Sequence, residues 1–245
     1  MKMGFVLIIG AKSDIARAIA REYAKHGYDL YLAARNPSEL TAFATDITVR
    51  MQRTVEIVEL DILDYESHQG FYDQLEEKPL GVISAVGYLG DQGKAQSDFK
   101  EAKLIMDTNY KGVVSLFNIV ANDFAHRRSG FIIGISSVAG DRGRKSNYLY
   151  GSAKAALTAY LSGLRNRLHI SGVQVLTVKP GFVATKMTED MDLPEKLTAQ
   201  PEDVAVDIYN AQQKNKNVLY TKWIWRWVML LICYFPEIIF KKMSL

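Results

Sequence analysis

Tyr150, Lys154 and Ser137 are the residues whose types and spacing could do chemistry together. Tyr150 and Lys154 bracket Gly-Ser-Ala, and Ser137 stands thirteen residues before the tyrosine. Reducing a ketone requires a hydride at carbon and a proton at oxygen, and a phenol with a reference pKa of about 10 is a reluctant donor at neutral pH. An ammonium one helical turn away, on the same helix face, favours the phenolate that forms as the proton leaves. Lys154 has that spacing from Tyr150, and Ser137 adds a hydroxyl able to hold and polarise a carbonyl oxygen. A Tyr-x-x-x-Lys pair alone is weak, since roughly one is expected by chance among this many tyrosines and lysines. Its weight depends on the elements that position it.

Those elements are legible from the N-terminus. Phe5-Val-Leu-Ile-Ile9 is an apolar run that meets Gly10-Ala-Lys-Ser-Asp14 and then the helical pattern Ile15 to Tyr23, which ends near Gly27. Tyr28-Asp-Leu-Tyr-Leu-Ala-Ala34 follows as a second strand. A strand, a glycine turn, a helix and a strand present a helix N-terminus to a dinucleotide pyrophosphate. Short apolar runs recur at 55–60, 80–86, 130–135 and 173–178, separated by longer helical patterns. That alternation predicts an α/β fold, a Rossmann-type doubly wound parallel sheet with helices on both faces.

The composition narrows the class. With 245 residues, 48% of them hydrophobic, the chain can bury one substantial core. The expected organisation is one nucleotide-binding domain over 1–217 and an aromatic, basic tail over 218–245. A net charge of +3 with dispersed basic residues gives no nucleic-acid-binding face. Cys233 is the single cysteine, and His26, His68, His126 and His169 lack metal-ligand spacing, so neither a disulfide nor a metal is expected. The N-terminal apolar stretch is too short and wrongly flanked for a secretory signal, so residence is expected to be cytoplasmic.

Taken in order, the glycine turn, Asp61, Asn109, Ser137, Tyr150 with Lys154, and Pro180-Gly181 resemble the short-chain dehydrogenase/reductase family over about residues 4–190. The resemblance implies an NAD(P)-dependent oxidoreductase interconverting a ketone and a secondary alcohol. It assigns Tyr150 as proton donor, Lys154 as its tuning cation and a holder of the nicotinamide ribose, and Asn109 as support for a proton-relay water. By the family's spacing Ser137, rather than Ser136, holds the carbonyl. It also implies a homodimer or homotetramer.

The cofactor half departs from the family pattern of three glycines. Gly10 keeps the first, while Asp14 and Ala16 occupy the second and third. A carboxylate beside a pyrophosphate repels it unless Asp14 or Ser13 turns back to cap the helix and leaves the backbone amides around Ile15 for the phosphates. Ser84-Ala-Val-Gly87 stands where the family has Asn-Asn-Ala-Gly, so Ala85 and Gly87 are expected against the adenosine ribose. Asp61 and Ile62 are assigned to the adenine, and Pro180, Gly181, Val183 and Thr185 to the carboxamide end of nicotinamide. At the end of the second strand Ala34-Arg35 replaces the acidic residue that grips a free ribose, and an arginine can pair bidentately with a phosphate. NADP(H) is therefore favoured over NAD(H), with Lys12 as a second cation.

Two segments remain. Residues 189–201 are acidic and interrupted by two prolines, which predicts a loop or short-helix lid where substrate choice resides. Past residue 217 all three tryptophans appear, and the uncharged run 227–235 is too short to span a bilayer before Pro236 and Glu237 interrupt it. Aromatics with Lys and Arg at the margins suit a surface-lying membrane anchor, and a dimerisation or lid helix is the alternative. This tail, with Lys179 to Thr188 and Asp14, is similar to a subgroup of short-chain reductases that includes the keto-reductase subunit of decaprenylphosphoryl-ribose 2'-epimerase. That subunit reduces a lipid-linked 2-keto pentose made by a flavin oxidase partner. The alternatives are a soluble ketone, hydroxyacyl or hydroxy-acid substrate, or a non-catalytic cofactor-sensing protein.

Overall fold

The computed structural model describes residues 3–243. It opens with β1 (Phe5–Ile9), α1 (Asp14–Lys25) and β2 (Asp29–Ala34), the expected strand, helix and strand. Then come α2 (Thr41–Met51), β3 (Val55–Glu59), α3 (Ser67–Asp73), β4 (Gly81–Ser84), α4 (Gln92–Ala95), α5 (Phe99–Met106) and α6 (Gly112–Arg127). The second half contains β5 (Phe131–Ile135), α7 (Tyr148–Leu168), β6 (Gln174–Pro180), β7 (Phe182–Val183), β8 (Thr198–Ala199) and α8 (Pro201–Gln213). It closes with β9 (Val218–Thr221), α9 (Ile224–Tyr234) and α10 (Glu237–Phe240).

Seven strands pair in parallel in the order β3-β2-β1-β4-β5-β6-β9. The central strands are continuous apolar runs because both of their faces are covered. Val6, Ile8, Leu30, Leu32 and Ile133 pack with Ile19 and Tyr23 of α1 and with Val204 and Ile208 of α8. The alternate residues Leu7, Tyr31, Val82, Ile132 and Val175 face the other way, onto Phe117 and Val120 of α6 and Leu157 and Leu161 of α7. The sheet order reverses between β1 and β4, and the crevice outside their carboxyl ends is where open α/β sheets take ligands.

The segment 189–201 is irregular, as its prolines predict, with a single 3-10 turn at Glu195–Leu197. Its far end is fixed by β8, which pairs with β7 through Phe182 and Thr198 and through Val183 and Ala199. The 217/218 boundary falls directly at the start of β9, so the sheet itself runs past that boundary. Beyond it, α9 is apolar on two sides. Trp225 and Met229 are buried against Val138, while Trp223, Trp227, Leu231 and Tyr234 are exposed on the other face. Among the described residues no helix is long and apolar enough to cross a membrane.

Candidate active site

Gly10 begins the site with φ +78°, and a Cβ there would lie 3.1 Å from the backbone of Ala85. Only glycine lets the first turn approach the end of β4 this closely. Ser13 then caps α1, its hydroxyl accepting from Ala16 N at 3.2 Å. Of the two side chains that could have capped this helix, Ser13 does so and Asp14 does not. Asp14 Oδ2 instead accepts from Lys186 N at 2.9 Å. The first-turn amides of Asp14 and Ile15 have no intrahelical carbonyl within reach, which leaves them as donors for an anion. Lys12 is held by Glu39 at 2.7 Å.

Ser137, at the end of β5, caps the short 3-10 turn that follows by accepting from Ala139 N at 3.1 Å. Burial pushes the Tyr150 phenol up to about 12, and the neighbouring Ser137 hydroxyl opposes the rise. Ser136 is 2% exposed and spends its hydroxyl on Lys154 O at 2.9 Å and Thr158 Oγ1 at 2.7 Å. It is a strut between β5 and α7, whereas Ser137 lines the cavity. Lys154 Nζ lies 5.7 Å from the Tyr150 ring centroid and donates to Ile135 O at 3.0 Å and Val86 O at 3.2 Å. Burial alone brings its ammonium down to about 7.

Asn109 sits in a π-helical segment, Asp107–Lys111, between α5 and α6. Its amide nitrogen donates to Tyr88 O at 2.6 Å and Ile105 O at 2.8 Å, and its oxygen accepts from Tyr88 N at 3.2 Å. The fully buried side chain is thus occupied in holding the loop after Gly87. A Cβ on Gly87 would lie 3.8 Å from Asn109 Oδ1 and 3.9 Å from Lys154 Nζ, so the three positions form one tight corner.

Two cavities meet along Lys12, Ser13, Ala85, Val86 and Gly87. One, of about 420 Å³, is lined by Asp14, Ile15, Ser137, Tyr150, Lys154, Pro180, Gly181, Val183 and Thr185. The other runs to the β2 end and is lined by Gly10, Arg35, Asp61 and Ile62. Asp61 Oδ1 also accepts from Leu63 N at 3.0 Å, so it caps its turn while facing the cleft. Every residue assigned from sequence lines one cavity or the other except Asn109, which lies behind the Gly87 loop. The continuous crevice, the glycine cradle and the free helix amides fit a dinucleotide with its pyrophosphate over α1 and its nicotinamide end beside Pro180.

The floor at Gly181 is set by Trp225, since a Cβ there would lie 2.0 Å from the indole ring. Trp225 Nε1 donates to Leu197 O at 3.0 Å, and its ring meets Phe182 edge-on at 5.1 Å. The wall of Phe182, Met187 and Met191 carries no signal in the sequence, because a two-residue strand and the short turns after it are too brief for periodicity. Sequence reasoning also missed Arg144 and Asn147, which read as a polar loop before the catalytic helix.

Residues 4–196 match the sequence profile of the short chain dehydrogenase family. An uncharacterized oxidoreductase of Mycobacterium tuberculosis is 36% identical over 241 residues, covering 97% of this chain and 96% of the relative. Sulfoacetaldehyde reductase 2 of Chromohalobacter salexigens is 32% identical over 188 residues, covering 75% of this chain and 74% of its own. In fold, the chain is similar to a short-chain dehydrogenase from Sphingobium yanoikuyae solved with NADPH. The TM-score is 0.84 at 24% identity, covering 96% of this chain and 97% of that one. With the family profile and the relatives in agreement, this chain belongs to the short-chain dehydrogenase/reductase family and is an NAD(P)-dependent oxidoreductase.

Proposed function

We propose that this enzyme reduces a membrane-borne ketone with NADPH in preference to NADH, its ketone being a polyprenyl-phosphate-linked keto sugar supplied by a flavin oxidase. The observation that carries the membrane part is the double role of α9. Its inner residues Trp225 and Met229 pack beneath the catalytic cavity, and its outer face exposes Trp223, Trp227, Leu231 and Tyr234. Arg226, Lys241 and Lys242 are exposed in the same tail, a composition suited to the headgroup zone of an anionic bilayer. Arg35 at the cleft mouth supports the NADPH preference. The protein is expected in the cytoplasm, peripheral at the inner membrane face, as a homodimer or homotetramer. The catalytic fold is proposed to run through 217, with 218–245 the membrane-facing part.

The cofactor, when bound, supplies the hydride. Ser137 holds and polarises the carbonyl oxygen, and Tyr150 gives it a proton. Lys154 stabilises the phenolate left behind and returns a proton to it. Asn109 keeps Tyr88 and the Gly87 corner in place and, by its family role, supports the relay water.

A second reading is a small soluble carbonyl substrate, favoured by the likeness to a sulfoacetaldehyde reductase. The deciding experiment gives the protein NADPH labelled at the transferable hydrogen with a membrane extract oxidised by the cell's own flavoenzymes. Label in a polyprenyl-phosphate sugar, absent with Y150F, establishes the first reading, and label in a soluble alcohol establishes the second. Vesicles of anionic phospholipid that fail to co-sediment the protein would remove the membrane role. The triple variant W223S/W227S/L231S should abolish co-sedimentation without disturbing Trp225.

A further inference from the structure

Arg144 lies in the loop before α7 and lines the same cavity as Ser137 and Tyr150. Its guanidinium has no carboxylate partner among the described residues. Nη2 donates to the thioether of Met229 at 3.3 Å, a weak acceptor, and Nε is buried without any partner. The acidic groups nearby are already engaged. Asp141 gives one oxygen to Lys179 Nζ at 2.5 Å and the other to the Tyr220 hydroxyl at 2.9 Å, while Glu237 is held by Arg142 at 2.9 Å. A guanidinium stays charged in proteins, and a half-buried one whose nearest opposite charge, Asp141, is shared with Lys179 is costly. Burial accordingly draws its pKa below the ordinary arginine range.

A second unsatisfied group lies on the same wall. Asn147 stands at the N-cap of α7, but its side chain makes no capping bond, and its Oδ1 is buried without a partner. Asn147 also lines the cavity, whose other walls near these two residues include the apolar side chains of Leu89, Val138, Phe182 and Met191. The one acidic lining residue, Asp14, sits at the start of α1 with a carboxylate oxygen on Lys186 N. The cavity therefore pairs a donor-only cation with an open acceptor inside largely apolar walls.

We infer that Arg144 selects the substrate by binding an anionic group, phosphate or carboxylate, carried on the ketone, with Asn147 taking a neighbouring hydroxyl. The inference rests on the cavity being the ketone site of the proposed reductase. A planar guanidinium matches the two oxygens of such a group, and the low dielectric of the cavity strengthens the pair. Arg144 is thus a specificity residue, distinct from the proton-transfer residues.

The test is calorimetric titration of NADP⁺-saturated full-length protein with hexyl phosphate, hexanoate and hexanol, with no turnover involved. The wild type should bind one of the anions at least tenfold more tightly than hexanol, and the better anion identifies phosphate or carboxylate. R144Q should lose that preference while still binding NADP⁺, and R144K should recover part of it. No preference in the wild type overturns the inference even if R144Q fails to fold, as does a preference that R144Q retains. Failure of the reductase reading would show separately, as an absence of any Tyr150-dependent oxidation of NADPH with ketones.

Discussion

Asp14 Oδ2 accepts a hydrogen bond from Lys186 N at 2.9 Å, joining the start of the first helix to the segment that follows Thr185. The carboxylate that stands in the second glycine position is therefore a clasp between the phosphate cradle and the cavity wall. Asp14→Asn keeps an acceptor for Lys186 and removes a negative charge beside the pyrophosphate. We expect NADPH to bind about three- to tenfold more tightly to this variant, measured by fluorescence titration. Weaker binding would mean that the charge itself is needed to hold the segment.

Tyr150→Phe removes the proposed proton donor and leaves the ring in place. The expected loss in kcat is about 10²- to 10⁴-fold, with the NADPH dissociation constant unchanged, read by steady-state kinetics and titration on the same preparation.

Lys154 is a stability liability with a defined pH window. Burial brings it from 10.5 to about 7 in the folded chain, while the unfolded lysine holds its proton to its ordinary value. The unfolded state therefore binds more protons between those values, and folding stability rises with pH across the window by up to about 1.4 kcal/mol per unit. Below pH 7 both states are protonated and the penalty is full. Lys154→Met removes this dependence. Urea midpoints should show the variant gaining most over wild type near pH 6 and losing that gain by pH 10.

Arg35→Ala should weaken NADPH at least tenfold and NADH much less, since only the former carries the extra phosphate. Equal losses for both cofactors, in parallel titrations, would remove the phosphate role.

Gly181→Ala places a methyl 2.0 Å from the Trp225 ring atoms, where backbone and indole both have to move. A cost of about 1–3 kcal/mol is expected in chemical denaturation, with a shift in tryptophan emission and a raised KM for the ketone.

The sheet was legible because each central strand is an uninterrupted apolar run, and the βαβ opening because Gly10 separates two clear periodicities. Ser137, Tyr150 and Lys154 were legible because their spacing lies within one strand end and one helix. Asn109 was found by motif order, but its geometry was not visible: only the fold shows that its amide is consumed by Tyr88 and Ile105. Arg144 and Trp225 were not identified as site residues because their significance comes from contacts across the fold. Arg144 reaches the cavity from a loop that reads as solvated, and Trp225 reaches it from an element whose composition suggests only a surface.

The packing of Trp225 under Gly181 makes the tail part of the cavity rather than an appendage to it. The last strand of the sheet ends at residue 221, whereas the floor of the cavity waits for residue 225. A chain cut directly after β9 would keep every strand of the sheet and lose the underside of Gly181.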